Sequence, residues 1–252
     1  LLLIFVPKTW RGLKDREVWK GGLILGVIVW GGFILQMLGL TDVTPAVSAF
    51  LTSLYVVFTA LIGVALGMQK MTRFAILGVL LATFGAGWIS GPPQLNFGLG
   101  EWLTVGCAFL FGAHIIATDR VTKVVDPIQV TATMLITVAT LSVAVYLAVS
   151  SEFTGEFVAL LKEFDFTFPL MLCAVLGSLV ALLVLNIFQK QVTPVRAAIL
   201  YALEPVWAML GSLVLGLEGD VTFWLPVGAV ALLIGNLVVE YEQISRSNDE
   251  SE

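Results

Sequence analysis

Charge is what this chain has least of. Only 12% of its 252 residues are Asp, Glu, Lys or Arg, while 58% are hydrophobic; a soluble domain carries roughly 25% charged residues. One soluble globule of this length could not hide so much apolar surface, which excludes a water-soluble enzyme. The same hydrophobicity excludes a disordered chain. Basic residues are in no excess, 13 against 18 acidic ones, so a nucleic-acid-binding face is excluded as well. Histidine occurs once, as His114, and no Asp sits midway in an apolar run. A zinc site needs several such ligands, so no metal is called for. The two cysteines, Cys107 and Cys173, lie inside apolar runs and read as packing residues rather than a disulfide framework. No P-loop occurs, so ATP is not the direct energy source and no cofactor is implied.

What is present is a series of long apolar runs. A membrane helix needs about 20 mostly apolar residues. Eight such spans are predicted, at 21–40, 44–68, 72–90, 99–118, 128–149, 168–189, 194–217 and 221–240. Turn signals punctuate them at Thr44-Pro45, Gly91-Pro92-Pro93, Asp126-Pro127 and Thr193-Pro194. Alternating the connections between two sides places 12 of the 13 basic residues on one side; only Lys162 falls on the other. By the positive-inside rule the basic side is cytoplasmic, and the C-terminus lies there. The expected location is a bacterial cytoplasmic (inner) membrane, with the lipid bilayer as the protein's solvent.

The chain also repeats itself. Shifted by 149 residues, Val43–Gly67 lies over Val192–Gly216 with ten of 25 positions identical. The identities include Val43-Thr44-Pro45 over Val192-Thr193-Pro194 and Gly67 over Gly216. Gly78 and Gly85 match Gly228 and Gly235 after one insertion. The two copies are five spans apart, an odd number, so the second has the opposite membrane orientation. Such inverted-topology repeats are frequent in secondary transporters. The expected fold class is therefore an all-α integral membrane protein, an inverted repeat of two five-helix halves. Residues 1–90 form the first repeat, 91–98 a linker, 99–241 the second repeat and 242–252 a cytoplasmic tail. The second repeat owns five spans; the first owns three and the apolar stub Leu1–Val6. Eight complete spans and the stub of a ninth predict an intact protein of ten spans, truncated here at its N-terminus.

These features resemble the EamA-type members of the drug/metabolite transporter superfamily. The resemblance covers essentially the whole chain. It is most specific at Thr193-Pro194-Val195-Arg196-Ala197-Ala198, Leu203-Glu204-Pro205 and Gly216-Leu217-Glu218. The first-repeat counterpart, Thr44-Pro45-Ala46-Val47-Ser48-Ala49, ends at Gly67-Met68-Gln69, where the family usually has Gly-Glu. The resemblance implies two inverted five-helix halves, both termini cytoplasmic, and movement of small metabolites, often amino acids or related solutes and often outward. It implies no single substrate.

Ionisable residues deep in a span are costly and need an explanation. Glu204, near the middle of 194–217, and His114, in 99–118, are the two. Pro205 cannot donate to the carbonyl of Tyr201 and pushes against it, so a kink is expected there. Glu204 then has two readings: a carboxyl that binds a substrate ammonium or takes up a coupling proton, or a protonated acid that satisfies backbone groups loosened by the kink. In the first copy Ser48, Thr52, Tyr55 and Thr59 form one polar stripe at helical spacing. Shifted by 149 they fall on Ala197, Tyr201, Glu204 and Ala208. A shared central cavity explains the registration; close helix packing by small hydroxyls is the alternative. His114 is either a proton relay or a neutral packing residue. Gln36 and Asn186, with Gln189, line an inner vestibule or bond across helices. Trp207, one turn past Glu204, is a candidate aromatic wall. Gly21, Gly22, Gly26, Gly31, Gly32 and Gly39 crowd one span and allow close helix approach.

The favoured function is a secondary active exporter of small metabolites such as amino acids or drug-like solutes, working by alternating access, with protons as a candidate coupling ion. An intramembrane enzyme would need paired catalytic groups at one depth, and none are evident. A passive channel or facilitator, or a non-transporting membrane partner, is the remaining alternative. Uphill, saturable flux separates a carrier from both.

Overall fold

The computed structural model describes residues 10, 12–68, 73–88, 97–149, 159–188, 204–217 and 222–249. Among them the regular structure is helical throughout. The elements are α1 (Arg16–Gly39), α2 (Pro45–Thr52), α3 (Tyr55–Ala65), α4 (Arg73–Trp88) and α5 (Leu99–Thr122). They continue with α6 (Pro127–Val149), α7 (Phe164–Phe188), α8 (Glu204–Val214) and α9 (Trp224–Asp249).

Five segments are long and apolar enough to cross a bilayer: Arg16–Gly39, Pro45–Ala65, Leu99–Thr122, Pro127–Val149 and Phe164–Phe188. Shorter apolar helical stretches run through Ile76–Ala86 and Trp224–Val238. The protein is thus an all-α membrane protein. Several helices outrun the apolar windows that predict them. α1 begins at Arg16 rather than 21 and α9 continues to Asp249, because polar residues at a membrane surface extend a helix as readily as apolar ones inside. The seventh predicted span is described from Glu204 onward. The stub 1–6, Tyr201, Gln189 and Arg196 lie outside the described residues.

The span Pro45–Ala65 shows how sequence sets local structure. Thr44 caps it, its Oγ1 accepting from the Val47 N–H at 3.4 Å, and Pro45 occupies the first turn, where its missing N–H costs nothing. The span breaks between α2 and α3. There Leu54 N–H donates to Leu51 O at 3.1 Å and Val56 N–H to Ser53 O at 3.2 Å, both three residues back instead of four. At the far end Gly67 takes φ +69°, with Gly67 N–H donating to Val64 O at 3.0 Å and Met68 N–H to Gly63 O at 2.9 Å. The end of α8 repeats this 149 residues later. Gly216 takes φ +66°, its N–H donates to Leu213 O at 3.2 Å, and Leu217 N–H donates to Ser212 O at 2.9 Å. Both ends are Schellman motifs, which need a left-handed residue that glycine adopts without strain. α7 differs from the rest: through Cys173–Val180 it widens to a π-helix, with Ala181 N–H reaching Leu176 O.

Contacts gather the chain into two compact units. The first comprises Leu1–Trp30 and Ala117–Gln191. In it Gly22 and Gly26 of α1 meet α6, where a Cβ would collide with Thr133 and lie 2.6 Å from Thr137 Cβ. The missing side chains let the two backbones close, and Thr133 Oγ1 donates to Val18 O at 3.2 Å.

The second unit comprises Gly31–Ile116 and Val192–Glu252. Its core joins Phe50, Leu51, Tyr55, Val56 and Val57 to Ala82 and Ala86 of α4, Ala108 of α5, and Leu225 and Leu232 of α9. Gly112 brings α5 against α3, its position for a Cβ lying 3.0 Å from Tyr55 O and Thr59 N. α4 and α9 approach most closely. A Cβ on Gly85 would strike the Leu232 N and lie 2.6 Å from Gly228 O; one on Gly235 would strike the Ala82 N and lie 2.7 Å from Gly78 O. The contacts are reciprocal. Residues 150 apart exchange roles, and the helices run antiparallel through the crossing, which therefore has local two-fold symmetry.

Candidate solute cavity

A cavity of about 230 Å³ lies within the second unit. Its polar lining is Gln36, Ser48, Thr52, Ser53, Tyr55 and Glu204, interrupted by Leu40, Pro45, Ala49, Pro205 and Ala208. α2 supplies Ser48 and Thr52 at i and i+4, and the break carries the same wall on to Ser53 and Tyr55. Glu204 and Ala208, one turn apart on α8, form the wall supplied by the second half of the chain. Glu204 is the one carboxylate in the lining. Gln36 Nε2 donates to Thr52 Oγ1 at 3.3 Å, tying the α1 side of the lining to the α2 side. At about 30 Å³ per water, the space holds roughly eight waters, below the ~300–1,000 Å³ of drug-sized pockets.

The structure brings together much of what the sequence stripe singles out. Tyr55 and Glu204, 149 residues apart, line one cavity, along with Thr52, Gln36 and the proline of the expected kink, Pro205. Thr59 is elsewhere. Its Oγ1 donates to Tyr55 O at 2.7 Å, with Gly112 O at 3.5 Å, where α5 closes on this turn at Gly112. Trp207 is 68% exposed and is not part of the lining. His114 is buried, 3% exposed, on α5, is not part of the lining, and its Nε2 makes no hydrogen bond. Asn186 belongs to the first unit, where its Nδ2 donates to Thr131 Oγ1 at 2.6 Å across the α6–α7 contact. Ser53 is a lining residue that the stripe does not name. It adjoins Thr52 off the helical register, at the break.

Helices of this length and hydropathy define a polytopic α-helical membrane protein. The chain belongs to the EamA-like transporter family, whose model it matches over residues 1–91 and 98–241. It is similar to an uncharacterized transporter of Archaeoglobus fulgidus, 28% identical over 216 residues that cover 83% of this chain. The match spans 64% of that relative's length. A protein of known crystal structure superposes with a TM-score of 0.55 at 16% identity, covering 97% of this chain and 94% of its own, a likeness of fold alone.

Proposed function

We propose that the protein is a secondary active transporter that exports small metabolites of amino-acid size. The observation that carries the reading is the cavity itself, in which Tyr55 and Glu204 meet from equivalent positions of the two copies. A carboxylate among neutral hydroxyl and amide groups suits a solute with an ammonium group and further donors and acceptors. The volume favours small metabolites over drug-sized solutes. Protons are the coupling ion we propose, with Glu204 their acceptor and His114 a second candidate. Two features support an inverted repeat of two five-helix halves, 1–90 and 99–241: the matched helix ends at Gly67 and Gly216, and the two-fold crossing of α4 and α9. The distribution of basic residues supports an inner-membrane location with a cytoplasmic C-terminus. The test is flux of an amino-acid and organic-cation panel in proteoliposomes. Uphill, saturable movement of one class supports the carrier; non-saturable, strictly downhill flux means a channel, and no flux means neither.

A further inference from the structure

The break in the span Pro45–Ala65 carries no proline or glycine. Its residues, Thr52-Ser53-Leu54-Tyr55, could continue a helix. Ser53 itself bonds back to the preceding turn, and α9 adds a hold from outside the span. Asn236 Nδ2 donates to Ser53 O at 3.1 Å and to Ser53 Oγ at 3.0 Å, across 183 residues of chain. Both residues are buried, Asn236 at 2% and Ser53 at 3% exposure. Ser53 Oγ in turn donates to Phe50 O at 2.6 Å. The orientation of the amide is thereby determined. A backbone carbonyl can only accept, and the hydroxyl has spent its proton on Phe50, so the nitrogen of Asn236 must face both. Ser53 O keeps the Val56 N–H as a second donor at 3.2 Å, so Asn236 supplies the other half of its bonding.

The neighbour of Asn236 fixes the other end of the lever. Gly235 seats α9 directly on the α4 backbone at Ala82 and Gly78. Adjacent residues of α9 thus grip α4 and the break at once. Residues on either side of that break, Thr52 and Tyr55, line the cavity, as does Ser53 itself.

We propose that Asn236 is a positioning residue of the transport site: its amide holds the break at Ser53 and so sets the angle between the Thr52 and Tyr55 portions of the cavity wall. The inference rests on reading the cavity as the transport site, but its test does not. The protein in lipid nanodiscs is compared with Asn236→Leu, which keeps the bulk and loses the donor, and Ser53→Ala, which loses one of two acceptors. Amide exchange over residues 53–58 rises about ten-fold or more in Asn236→Leu, which loses two buried hydrogen bonds, and less in Ser53→Ala, while exchange over 74–88 is unchanged. A second readout separates positioning from general loosening. In a Cys107→Ala, Cys173→Ala background, Ser48→Cys and Tyr55→Cys each report on one side of the break through labelling by the small cationic thiol reagent aminoethyl methanethiosulfonate. Asn236→Leu changes the labelling rate at position 55 and leaves that at 48 as it was. Uniform exchange increases, equal changes at both cysteines, or no change would overturn the proposal. If labelling shifts as expected but flux in the parent protein is indifferent to Glu204→Gln, the positioning stands and the assignment of the cavity to transport falls.

Discussion

The α4–α9 crossing makes a quantitative prediction. Gly85→Ala places a methyl group against the backbone of α9, 2.6 Å from Gly228 O, and Gly235→Ala places one 2.7 Å from Gly78 O on α4. Backbone cannot change rotamer to make room. Restoring an ordinary 3.4 Å contact, also with the still nearer Leu232 N and Ala82 N, requires the helices to part by about 1 Å at the crossing, which loosens every side-chain contact around it. Overpacking of this kind costs roughly 1–3 kcal/mol. At this chain length that is a fall in Tm of roughly 2–12 °C. Because the contacts are reciprocal, the two substitutions cost about the same. Because both act on one crossing, the double variant costs less than their sum: once the helices have parted, the second methyl enters a gap already open. Gly177→Ala and Gly211→Ala are the controls. No atom lies within 4 Å of either added Cβ, so each is neutral or stabilises by up to ~1 kcal/mol through helix propensity. Thermal unfolding in a mild detergent, followed by Trp fluorescence, reads all five variants. Strict additivity, or a control as damaging as Gly85→Ala, would refute the reasoning.

Three further outcomes are expected. Gly67→Ala and Gly216→Ala force left-handed backbone on a residue with a Cβ and each cost about 1–2 kcal/mol, whereas Asn at either position costs less; thermal unfolding distinguishes them. Thr44→Ala removes the cap of Pro45–Ala65 and costs about 1 kcal/mol, read as the same Tm shift with no change in helical content beyond the first turn. Gln36→Ala frees the Thr52 hydroxyl and weakens solute binding several-fold without lowering Tm by more than a few degrees, since Gln36 is half-buried at the cavity edge.

The sequence makes the architecture legible because a bilayer leaves few choices. Apolar runs of about 20 residues must be helices, and the described helices fall where those runs predict them. Gly67 and Gly216 are legible in the sequence as matched ends of the repeat; that both take positive φ and cap their helices appears only in the structure. The stripe Ser48, Thr52, Tyr55 is legible as one helical face, and it does face one cavity with Glu204. The same helical arithmetic carries the stripe one turn too far. Thr59 bonds the backbone instead, since the approach of α5 at Gly112 is a tertiary fact that a single-helix pattern does not contain. The break at Ser53 is not legible in the sequence, because serine also continues helices and its partner Asn236 lies 183 residues away. Trp207 fits an aromatic wall by spacing alone, but spacing does not say which way an exposed ring of α8 turns. The matched glycines of α4 and α9 are visible as a repeat, while their mutual contact emerges only when the helices are placed together.

The central claim is that Glu204, in a cavity shared by the two copies, carries solute and coupling proton. It is tested most directly by flux in proteoliposomes under an imposed pH gradient, comparing the unaltered protein with Glu204→Gln. Gradient-driven, saturable movement of small ammonium-bearing solutes is expected, abolished in Glu204→Gln with Tm unchanged. Coupled transport that persists undiminished in Glu204→Gln would contradict it.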